Sequence, residues 1–163
     1  MAPAGPREER PCATGRTNRE CNRIRRGFFR RLYTSPGHVE LPRGERPLAT
    51  SIHYLLTREQ PRGRLHRNRS DILHFLVDGG PVRYVTAGER GTVEYVTLRS
   101  GAEHFLVVPG GLWKASHLVE DAPYALVAEV VTPGFDYADH EFATAGDVAH
   151  LGQAAAELAP FLP

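Results

Sequence analysis

A single lysine, Lys114, stands among twenty basic side chains, and the other nineteen are arginines. Lys114 follows the only tryptophan, Trp113, and comes just after the turn Pro109-Gly110-Gly111. Arginine stays charged, whereas the pKa of a lysine falls readily on burial, so the two side chains suit different chemistry. One interpretation is that this position needs an amine that can gain and lose a proton. The other is that a chain rich in Arg, Ala, Gly and Pro keeps one lysine through codon bias alone.

A second candidate is Glu129, which interrupts the apolar run from Tyr124 to Val131. A carboxylate in a buried strand must be paired, protonated or turned toward a cavity, because burying an unpaired charge is costly. If Glu129 and Lys114 face the same cavity, they form a coupled acid–base pair. The alternative is that Glu129 lies on the solvent face of its strand and has no chemical role.

These side chains need a scaffold, and the sequence predicts a mostly β one. Alternating or apolar runs separated by Gly, Pro and Asn turn signals predict about eight strands at roughly ten-residue spacing. They cover residues 51–57, 63–66, 72–77, 82–86, 92–98, 105–108, 112–119 and 124–132. Residues 24–33 are predicted as a strand or short helix, 34–49 as a loop and 149–158 as a closing helix. Such spacing is typical of a barrel or jelly roll.

Composition limits the class of protein further. The length of 163 residues suits one domain, and we expect a disordered Arg-rich arm over 1–22 followed by a single folded domain over 23–163. The net charge of +1 argues against nucleic acid as a partner. Cys12 and Cys21 both lie in the arm, without zinc-ligand spacing. No apolar run approaches the ~20 residues of a membrane span and no secretory signal is evident, so we expect a cytoplasmic protein.

Four stretches of the chain share residues with one known family: Thr50 to Leu56; His66-Arg67 with Ser70-Asp71 and His74-Phe75; Val107 to Trp113; and Val131 to Asp139. They resemble the cupin superfamily, a double-stranded β-helix. The resemblance is to the small single-domain bacterial and fungal cupins of the "cupin five" type, a domain of unknown function, and it covers residues 50–143. It implies an all-β jelly-roll barrel with a short C-terminal helix. Upstream, the segment from Ile24 to Phe29 departs from the His-Pro-Glu-Gly-Gly-aromatic pattern of such proteins.

The resemblance also implies what stands where metal-binding cupins have His, His, Glu and His. Those positions here are occupied by Arg64, His66, Asp71 and Lys114. Arginine cannot ligate a metal, and lysine ligates only when neutral. We therefore expect no metal and no other cofactor in this pocket. Rescue of a metal site by other imidazoles is left open, although no clean spacing supports it: His53, His74 and His117.

The chemistry of these side chains suggests roles for them if they share one pocket. Arg64 and Lys114 would hold an anion. His66 would act as general acid or base with Asp71 orienting it, and Lys114 and Glu129 would complete the catalytic set. The remaining candidates are substrate-binding side chains, for which core packing is the alternative: His53, Tyr54, Phe75, Tyr84 and Trp113. A salt-bridged cluster that closes the barrel mouth is the structural alternative to the whole set.

Two functions from different classes follow. The first is a metal-independent enzyme that performs isomerisation, epimerisation, cyclisation or elimination on a small anionic, polyketide-like or sugar-like metabolite. The second is a non-catalytic small-molecule-binding protein, and a metal-dependent dioxygenase ranks third. Cupins of this kind commonly pair as homodimers through an edge strand, and Phe28-Phe29 is the candidate strand for such an exchange.

Overall fold

Short antiparallel strands dominate the computed structural model, which describes residues 22–24, 27–88 and 91–163. Residues 1–21 of the arm predicted over 1–22, with Cys12 and Cys21, lie outside the described residues. The strands are β1 (Asn22–Ile24), β2 (Gly27–Thr34), β3 (His38–Leu41), β4 (Gly44–Pro47), β5 (Thr50–Thr57), β6 (His66–Asn68), β7 (Asp71–Gly79), β8 (Val82–Ala87), β9 (Val93–Leu98), β10 (Phe105–Val108), β11 (Trp113–Leu118), β12 (Tyr124–Thr132) and β13 (His140–Phe142).

Two facing sheets form the body of the molecule. The larger has the order β1-β2-β5-β12-β7-β10, the smaller has the order β13-β6-β11-β8-β9, and β3 and β4 form a separate hairpin. The pairings within the sheets are antiparallel, and neighbours in space come from distant parts of the chain. This is the jelly-roll architecture that the cupin resemblance predicts, since strands that alternate between two sheets produce non-consecutive neighbours.

The strands bury one face because their side chains alternate in direction. On β11, Trp113 and Ala115 pack into a core on the outer side of the smaller sheet, together with Val148, Leu158 and Phe161 from the C-terminal segment. A second core lies between the sheets and joins Leu56 and Val127 to Val82, Tyr84 and Leu98. The candidate site is formed by residues on the inner faces of the two sheets, next to the second core.

The C-terminal segment is two short helices rather than the single helix predicted over 149–158. The first, α1, spans Ala145–Ala149 and begins with a capping box between Thr144 and Asp147. The second, α2, spans Gln153–Leu158 and is preceded by Gly152, whose φ of 60° interrupts the helix. A 3-10 turn over Ala159–Phe161 follows and places Phe161 in the outer core. Neither α-helix of the described chain has the length or apolar character needed to cross a bilayer.

The segment predicted as a loop over 34–49 contains the β3–β4 hairpin. Its Pro and Gly residues signal turns, but the residues between them pair in register from His38↔Pro47 to Leu41↔Gly44. Arg43 and Arg46 on this hairpin both bind the buried carboxylate of Asp139, at 3.1 and 2.8 Å. Asp139 ends a 3-10 turn over Tyr137–Asp139, so the two arginines fix that turn against the hairpin.

The strand predicted over 63–66 is displaced toward the C-terminus. The strand β6 runs from His66 to Asn68, so it shares only His66 with the predicted strand. Gly63 and Leu65 instead donate backbone hydrogen bonds to the carbonyls of Ser116 and Phe161. Because those partners lie on different segments, residues 63–65 join no single ladder.

The predicted edge strand is also placed differently. The strand β2, which carries Phe28 and Phe29, is second from the edge of the larger sheet, and β1 pairs with it over Gly27–Phe29. On its other side β2 pairs with β5 from Phe28 to Thr34. Phe29 is turned toward the interior and lines the cavity described next.

Candidate functional site

A cavity of about 490 Å³ lies between the two sheets and is lined by side chains from both. Strand register explains which residues reach it, because residues directly opposite each other in neighbouring strands project to the same side of a sheet. In the larger sheet, Arg31, Ile52, Glu129 and His74 lie in one such row. In the smaller sheet, the corresponding row is Phe142, His66, Lys114 and Thr86. The two rows carry most of the chemistry of the site.

Lys114, His74 and Glu129 form a buried cluster where these rows meet. The Nζ atom of Lys114 lies 3.0 Å from Nε2 of His74 and 3.7 Å from Oε1 of Glu129. The other ring nitrogen of His74, Nδ1, lies 3.3 Å from the same Oε1. The His74 side chain has no exposed surface, and Lys114 is only 3% exposed. The amine, imidazole and carboxylate therefore form a closed chain of contacts.

The partners fix the protonation states within this cluster. An ammonium group only donates hydrogen bonds, so Lys114 donates to Nε2 of His74. The proton of a neutral His74 ring must then lie on Nδ1, which faces the carboxylate of Glu129. The cluster thus holds one positive and one negative charge, separated by a neutral imidazole that accepts a hydrogen bond from the amine and contacts the carboxylate through Nδ1.

Burial and the neighbouring charges shift the pKa of each member. Burial lowers the pKa of Lys114, and the carboxylate of Glu129 offsets part of that change. Burial would raise the pKa of Glu129, but Lys114 and His74 outweigh it and hold that pKa well below its usual range. Burial and the charge of Lys114 lower the pKa of His74 to about 4. Near neutral pH the imidazole is therefore uncharged, in agreement with its hydrogen bonds.

His66 is the cross-strand partner of Lys114 and also lines the cavity. Its Nδ1 lies 2.7 Å from the backbone carbonyl oxygen of Arg64, which can only accept, so Nδ1 carries the proton. The remaining nitrogen, Nε2, is then a hydrogen-bond acceptor. Burial and the nearby Lys114 lower the pKa of His66 to about 3, so the ring stays neutral at neutral pH.

Two tyrosines lie near the cluster on the cavity wall. The phenol of Tyr54 is hydrogen-bonded to Ser116, and burial with the charge of Glu129 raises its pKa. Tyr84 is the cross-strand partner of Ser116, and its ring centroid lies 4.7 Å from that of His74. The side chains of Ser116 and Tyr54 crowd Gly63, where a Cβ atom would lie 2.8 Å from Oγ of Ser116 and 3.0 Å from the Tyr54 hydroxyl.

Aromatic and basic side chains surround the opposite part of the cavity. The rings of Phe135, Tyr137, His140 and Phe142 form a chain of contacts with centroid separations of 4.8 to 5.6 Å. The guanidinium of Arg64 lies 4.3 Å from the centroid of the Phe142 ring. That of Arg31 lies 5.8 Å from the centroid of Phe135. These planar surfaces suit a flat or apolar portion of a ligand.

The structure brings six of the ten predicted site residues to the cavity wall: Tyr54, Arg64, His66, Tyr84, Lys114 and Glu129. Asp71 does not orient His66, because it is exposed at the start of β7 and its Oδ1 accepts a hydrogen bond from the Gly110 amide at 2.8 Å. The carbonyl of Arg64 holds the His66 ring instead.

The other three predicted residues lie on the faces turned away from the cavity. Trp113 precedes Lys114 on β11, so its ring points to the outer core, where the guanidinium of Arg67 lies 4.4 Å from its centroid. His53 and Phe75 are both cross-strand partners of Ala128, the neighbour of Glu129, and they share the outer face. Phe75 packs there against Phe105. None of the three belongs to the cavity wall.

From the sequence, His74 is considered only as an imidazole that could rescue a metal site, and its place between Lys114 and Glu129 is missed. Strand parity correctly puts Asp71 and His74 on opposite faces, but the prediction has Asp71 facing inward. An apolar run Ile72, Leu73, Phe75 and Leu76 broken only by His74 is the available signal. The aromatic residues Phe135, Tyr137 and Phe142 are also missed, since they lie after β12 in segments that carry no clear strand pattern.

The donor set at the positions of cupin metal ligands does not fit a divalent ion. Two of the four positions hold Arg64 and Lys114, and Asp71 lies elsewhere, which leaves His66 alone. Among residues 22–24, 27–88 and 91–163, no group of three or more His, Cys, Asp or Glu side chains is placed to hold a metal. His53 and His117 do not rescue such a site: His53 is on the outer face, and His117 packs against Phe161 at 5.5 Å.

Fold and site together define a jelly-roll protein with a small-molecule-sized cavity between its sheets. The chain belongs to the family described as Cupin superfamily (DUF985), whose sequence model matches residues 21–143. It is 34% identical over 157 residues to the uncharacterized protein YML079W of Saccharomyces cerevisiae, covering 82% of this chain and 76% of that one.

Solved structures from distant organisms share this fold. A hypothetical protein from Leishmania major superposes with a TM-score of 0.77 at 26% identity, covering 87% of this chain and 93% of that one. Protein SO0799 from Shewanella oneidensis gives a TM-score of 0.73 at 25% identity, covering 84% and 87%. Each coverage is close to the full length of the other protein, so the similarity extends over the whole fold.

Proposed function

We propose that this cupin is an enzyme that moves a proton on a small anionic metabolite without using a metal ion. Isomerisation, epimerisation, cyclisation and elimination all belong to this class of reaction. The observation that carries the proposal is the chain of contacts from Glu129 through His74 to Lys114, which ends in an amine on the cavity wall.

Lys114 is the proton-transfer group in this proposal. Its pKa is lowered by burial, so the amine loses a proton more readily than an exposed lysine does. The carboxylate of Glu129 and the imidazole of His74 stabilise the buried ammonium. Their contacts offset part of the free-energy cost of removing that charge from water. As an ammonium, Lys114 donates to a developing negative charge on a substrate oxygen. As an amine, it accepts a proton from the substrate.

His66 is the hydrogen-bond acceptor opposite Lys114. Because its pKa is lowered to about 3, few imidazolium ions exist at neutral pH and the ring is a poor general acid. Its proton on Nδ1 is held by the Arg64 carbonyl, so Nε2 accepts from a hydroxyl group of the substrate. The sequence predicted that His66 acts as a general acid or base. In this proposal His66 instead orients a hydroxyl or enol group of the substrate.

Charge and shape support an anionic substrate with an apolar portion. Among the described residues, the charged side chains on the cavity wall are Arg31, Arg64, Lys114 and Glu129, three positive and one negative. The excess of positive charge favours a carboxylate or a similar anion. The rings of Phe135 and Phe142 provide apolar contacts for the remainder of the molecule.

Proton exchange tests the proposal, because reactions of this class make a carbon-bound hydrogen labile. The protein is incubated in D2O with small carboxylates that carry an oxo or hydroxyl group, including phenylpyruvate, malate and 3-hydroxybutyrate. Proton NMR then follows replacement of carbon-bound hydrogen by deuterium. We expect faster exchange for at least one compound, loss of that exchange in Lys114→Met and weaker binding in His66→Ala. Arg67→Met is the control, because Arg67 lies over Trp113 on the outer side.

Three results would count against this proposal. Binding by calorimetry, without exchange of any bound compound, makes the protein a small-molecule binder. Exchange that depends on a stoichiometric metal, seen by elemental analysis and removed by a chelator, restores the metal-dependent class. Retained exchange in a folded Lys114→Met variant removes Lys114 from the mechanism.

We further propose a cytoplasmic homodimer. Phe75, Val77, Phe105 and Val107 project from the outer face of the larger sheet, and three of them are at least 36% exposed. Light scattering on the purified protein tests the pairing, with a monomer as the contrary result.

A further inference from the structure

Two buried polar groups on the cavity wall have no hydrogen-bond partner among the described residues. They are the hydroxyl of Tyr84 and the amide nitrogen Nδ2 of Asn68. Tyr84 is 1% exposed and Asn68 is 3% exposed, and both line the cavity. Buried polar groups are nearly always satisfied, so each group calls for a partner from within the cavity.

The orientation of the Asn68 amide is settled by its neighbours. Its Oδ1 accepts a hydrogen bond from the backbone amide of Ser70 at 2.8 Å. A backbone N–H only donates, so the oxygen must face Ser70, and exchanging the two amide atoms would place two donors together. The Nδ2 atom therefore points away from that turn, and its partner must be an acceptor.

Tyr84 presents a neutral phenol. Burial and the negative charge of Glu129 raise its pKa, so the hydroxyl keeps its proton. The hydroxyl therefore donates to an acceptor in the cavity. A carboxylate at this end would be repelled by Glu129, whereas an uncharged carbonyl or hydroxyl oxygen would not.

The Tyr84 hydroxyl and the Asn68 amide come from positions on opposite sides of the cross-strand pair His66 and Lys114. Tyr84 pairs with Ser116, two residues beyond Lys114 along β11. Asn68 lies two residues beyond His66 in the other direction, and its carbonyl accepts from Gly111 just before β11. Measured along the strand direction, the backbone positions of Asn68 and Tyr84 are about 13 Å apart. The distance between their polar groups is shorter, because the Tyr84 side chain is long. A molecule that contacts both groups must cross the row formed by His66 and Lys114.

We propose that Asn68 and Tyr84 are substrate contacts and that the substrate is an oxo or hydroxy carboxylic acid. Its carboxylate accepts from Asn68, and its uncharged oxygen accepts from Tyr84 beside Lys114. The hydrogen-bearing carbon adjacent to the oxygen-bearing carbon then lies near the amine that moves the proton, and the uncharged oxygen takes up the negative charge as that proton leaves. The two contacts extend the proposed function to a substrate class. They rest on that function only in one respect, namely that the molecule bound in the cavity is the substrate.

A matched pair of probes tests the assignment by calorimetry. Phenylpyruvate and 3-phenylpropanoate share a carboxylate and a phenyl ring but differ in the oxo group. We expect the wild-type protein to bind phenylpyruvate about tenfold more tightly, because only it satisfies Tyr84. Tyr84→Phe should abolish that preference. Asn68→Asp keeps the acceptor for Ser70 but removes the donor, and it should weaken both probes at least tenfold.

Stability without any probe provides an independent measurement. Tyr84→Phe removes a hydroxyl that has no partner in the described chain, so the Tm should stay equal or rise. Tyr54→Phe is the control, since its hydroxyl is bonded to Ser116, and its Tm should fall by about 3 °C. An equal fall in Tyr84→Phe overturns the contact assignment. Failure of both probes to bind overturns the carboxylate class, while absence of proton exchange alone affects only the proposed catalysis.

Discussion

Lys114 and His74 belong to opposite sheets, yet Nζ of Lys114 lies 3.0 Å from Nε2 of His74. Each residue is placed by its own ladder, Lys114 opposite His66 and His74 opposite Glu129. The contact therefore exists only when both sheets have the correct register and pack correctly on each other. It links the stability of the fold directly to the chemistry of the cavity.

The losses of stability from removing the two charges of the buried pair should not add. Lys114→Met and Glu129→Gln should each lower the free energy of unfolding by about 3 kcal/mol, because each leaves an uncompensated buried charge. The double variant should be more stable than the sum of these losses predicts, by at least about 1 kcal/mol. Urea denaturation followed by circular dichroism provides the measurement.

The exposed pair Arg99 and Glu120 provides the control for this cycle, since their side chains are 42% and 54% exposed. The same cycle with Arg99→Met and Glu120→Gln should give a coupling below about 1 kcal/mol. Additive losses at Lys114 and Glu129 would contradict the buried pairing.

The single lysine permits direct titration of its amine. Selective 15N labelling of lysine gives one Nζ resonance, and the midpoint of its titration should lie below the ordinary lysine pKa of 10.5. Glu129→Gln should move the midpoint lower still, because the carboxylate that favours the ammonium is lost. A wild-type midpoint at or above 10.5 would mean that the amine is solvated.

Acid should destabilise the fold before the carboxylates titrate. His66 and His74 have pKa values of about 3 and about 4 in the folded protein, below the ordinary histidine value of 6.5. Well above pH 6.5 both rings are neutral in the folded and in the unfolded protein. As the pH falls through 6.5, the rings bind protons in the unfolded chain but stay neutral in the folded one, so the unfolded state is favoured. Stability should therefore fall between pH 7 and pH 5, by up to about 2 kcal/mol for each ring.

Urea titrations at pH 7.5 and pH 5 test this dependence, and that window lies above the usual range of carboxylate titration. His74→Gln should show a smaller loss between the two conditions than the wild-type protein. Equal unfolding free energies at both pH values would show that the rings are not shielded.

Gly63 should tolerate no side chain. The methyl group of Gly63→Ala would lie 2.8 Å from Oγ of Ser116, so the polar wall must shift, at a cost of about 1–3 kcal/mol. Gly88→Ala is the matched control, since its nearest neighbour is Cδ2 of Leu112 at 3.6 Å. Thermal unfolding should separate the two variants, and equal Tm values would count against the close packing at Gly63.

The hairpin should depend on the carboxylate of Asp139. Asp139→Asn leaves Arg46, which is buried, without its counter-charge, and we expect a loss of about 3 kcal/mol. Glu141→Gln disrupts an exposed pair with Arg67 and should change stability by less than about 0.5 kcal/mol. Chemical denaturation of both variants measures the difference; a similar small change in each would show that the hairpin is held by other contacts.

The fold and the central residues of the site were predictable, because both follow from strand alternation and the cupin resemblance. Lys114 after its turn and Glu129 in an apolar strand both line the cavity, which for each is one of the two alternatives that the sequence left open. Strand alternation alone could also have excluded Trp113 from the predicted site, since adjacent strand residues point to opposite faces and Trp113 adjoins Lys114. The same argument could have shown that His53 and Tyr54 do not face the same cavity.

The rest of the site depends on contacts that the sequence does not encode locally. Strand register sets which residues lie opposite Glu129, and a single chain gives no direct signal for the pairing of β7 with β12. The aromatic part of the wall lies on segments whose path is set by the bonds between Asp139, Arg43 and Arg46. Those bonds join residues more than ninety positions apart.

Trp113 lies in the outer core against the C-terminal helices rather than in the cavity. As the only indole in the chain, it is the sole source of tryptophan fluorescence. Its emission should therefore follow undocking of residues 145–161 and respond weakly to occupancy of the cavity. The protein thus carries a built-in optical reporter for one half of its structure, while the lone amine of Lys114 reports on the other half by NMR.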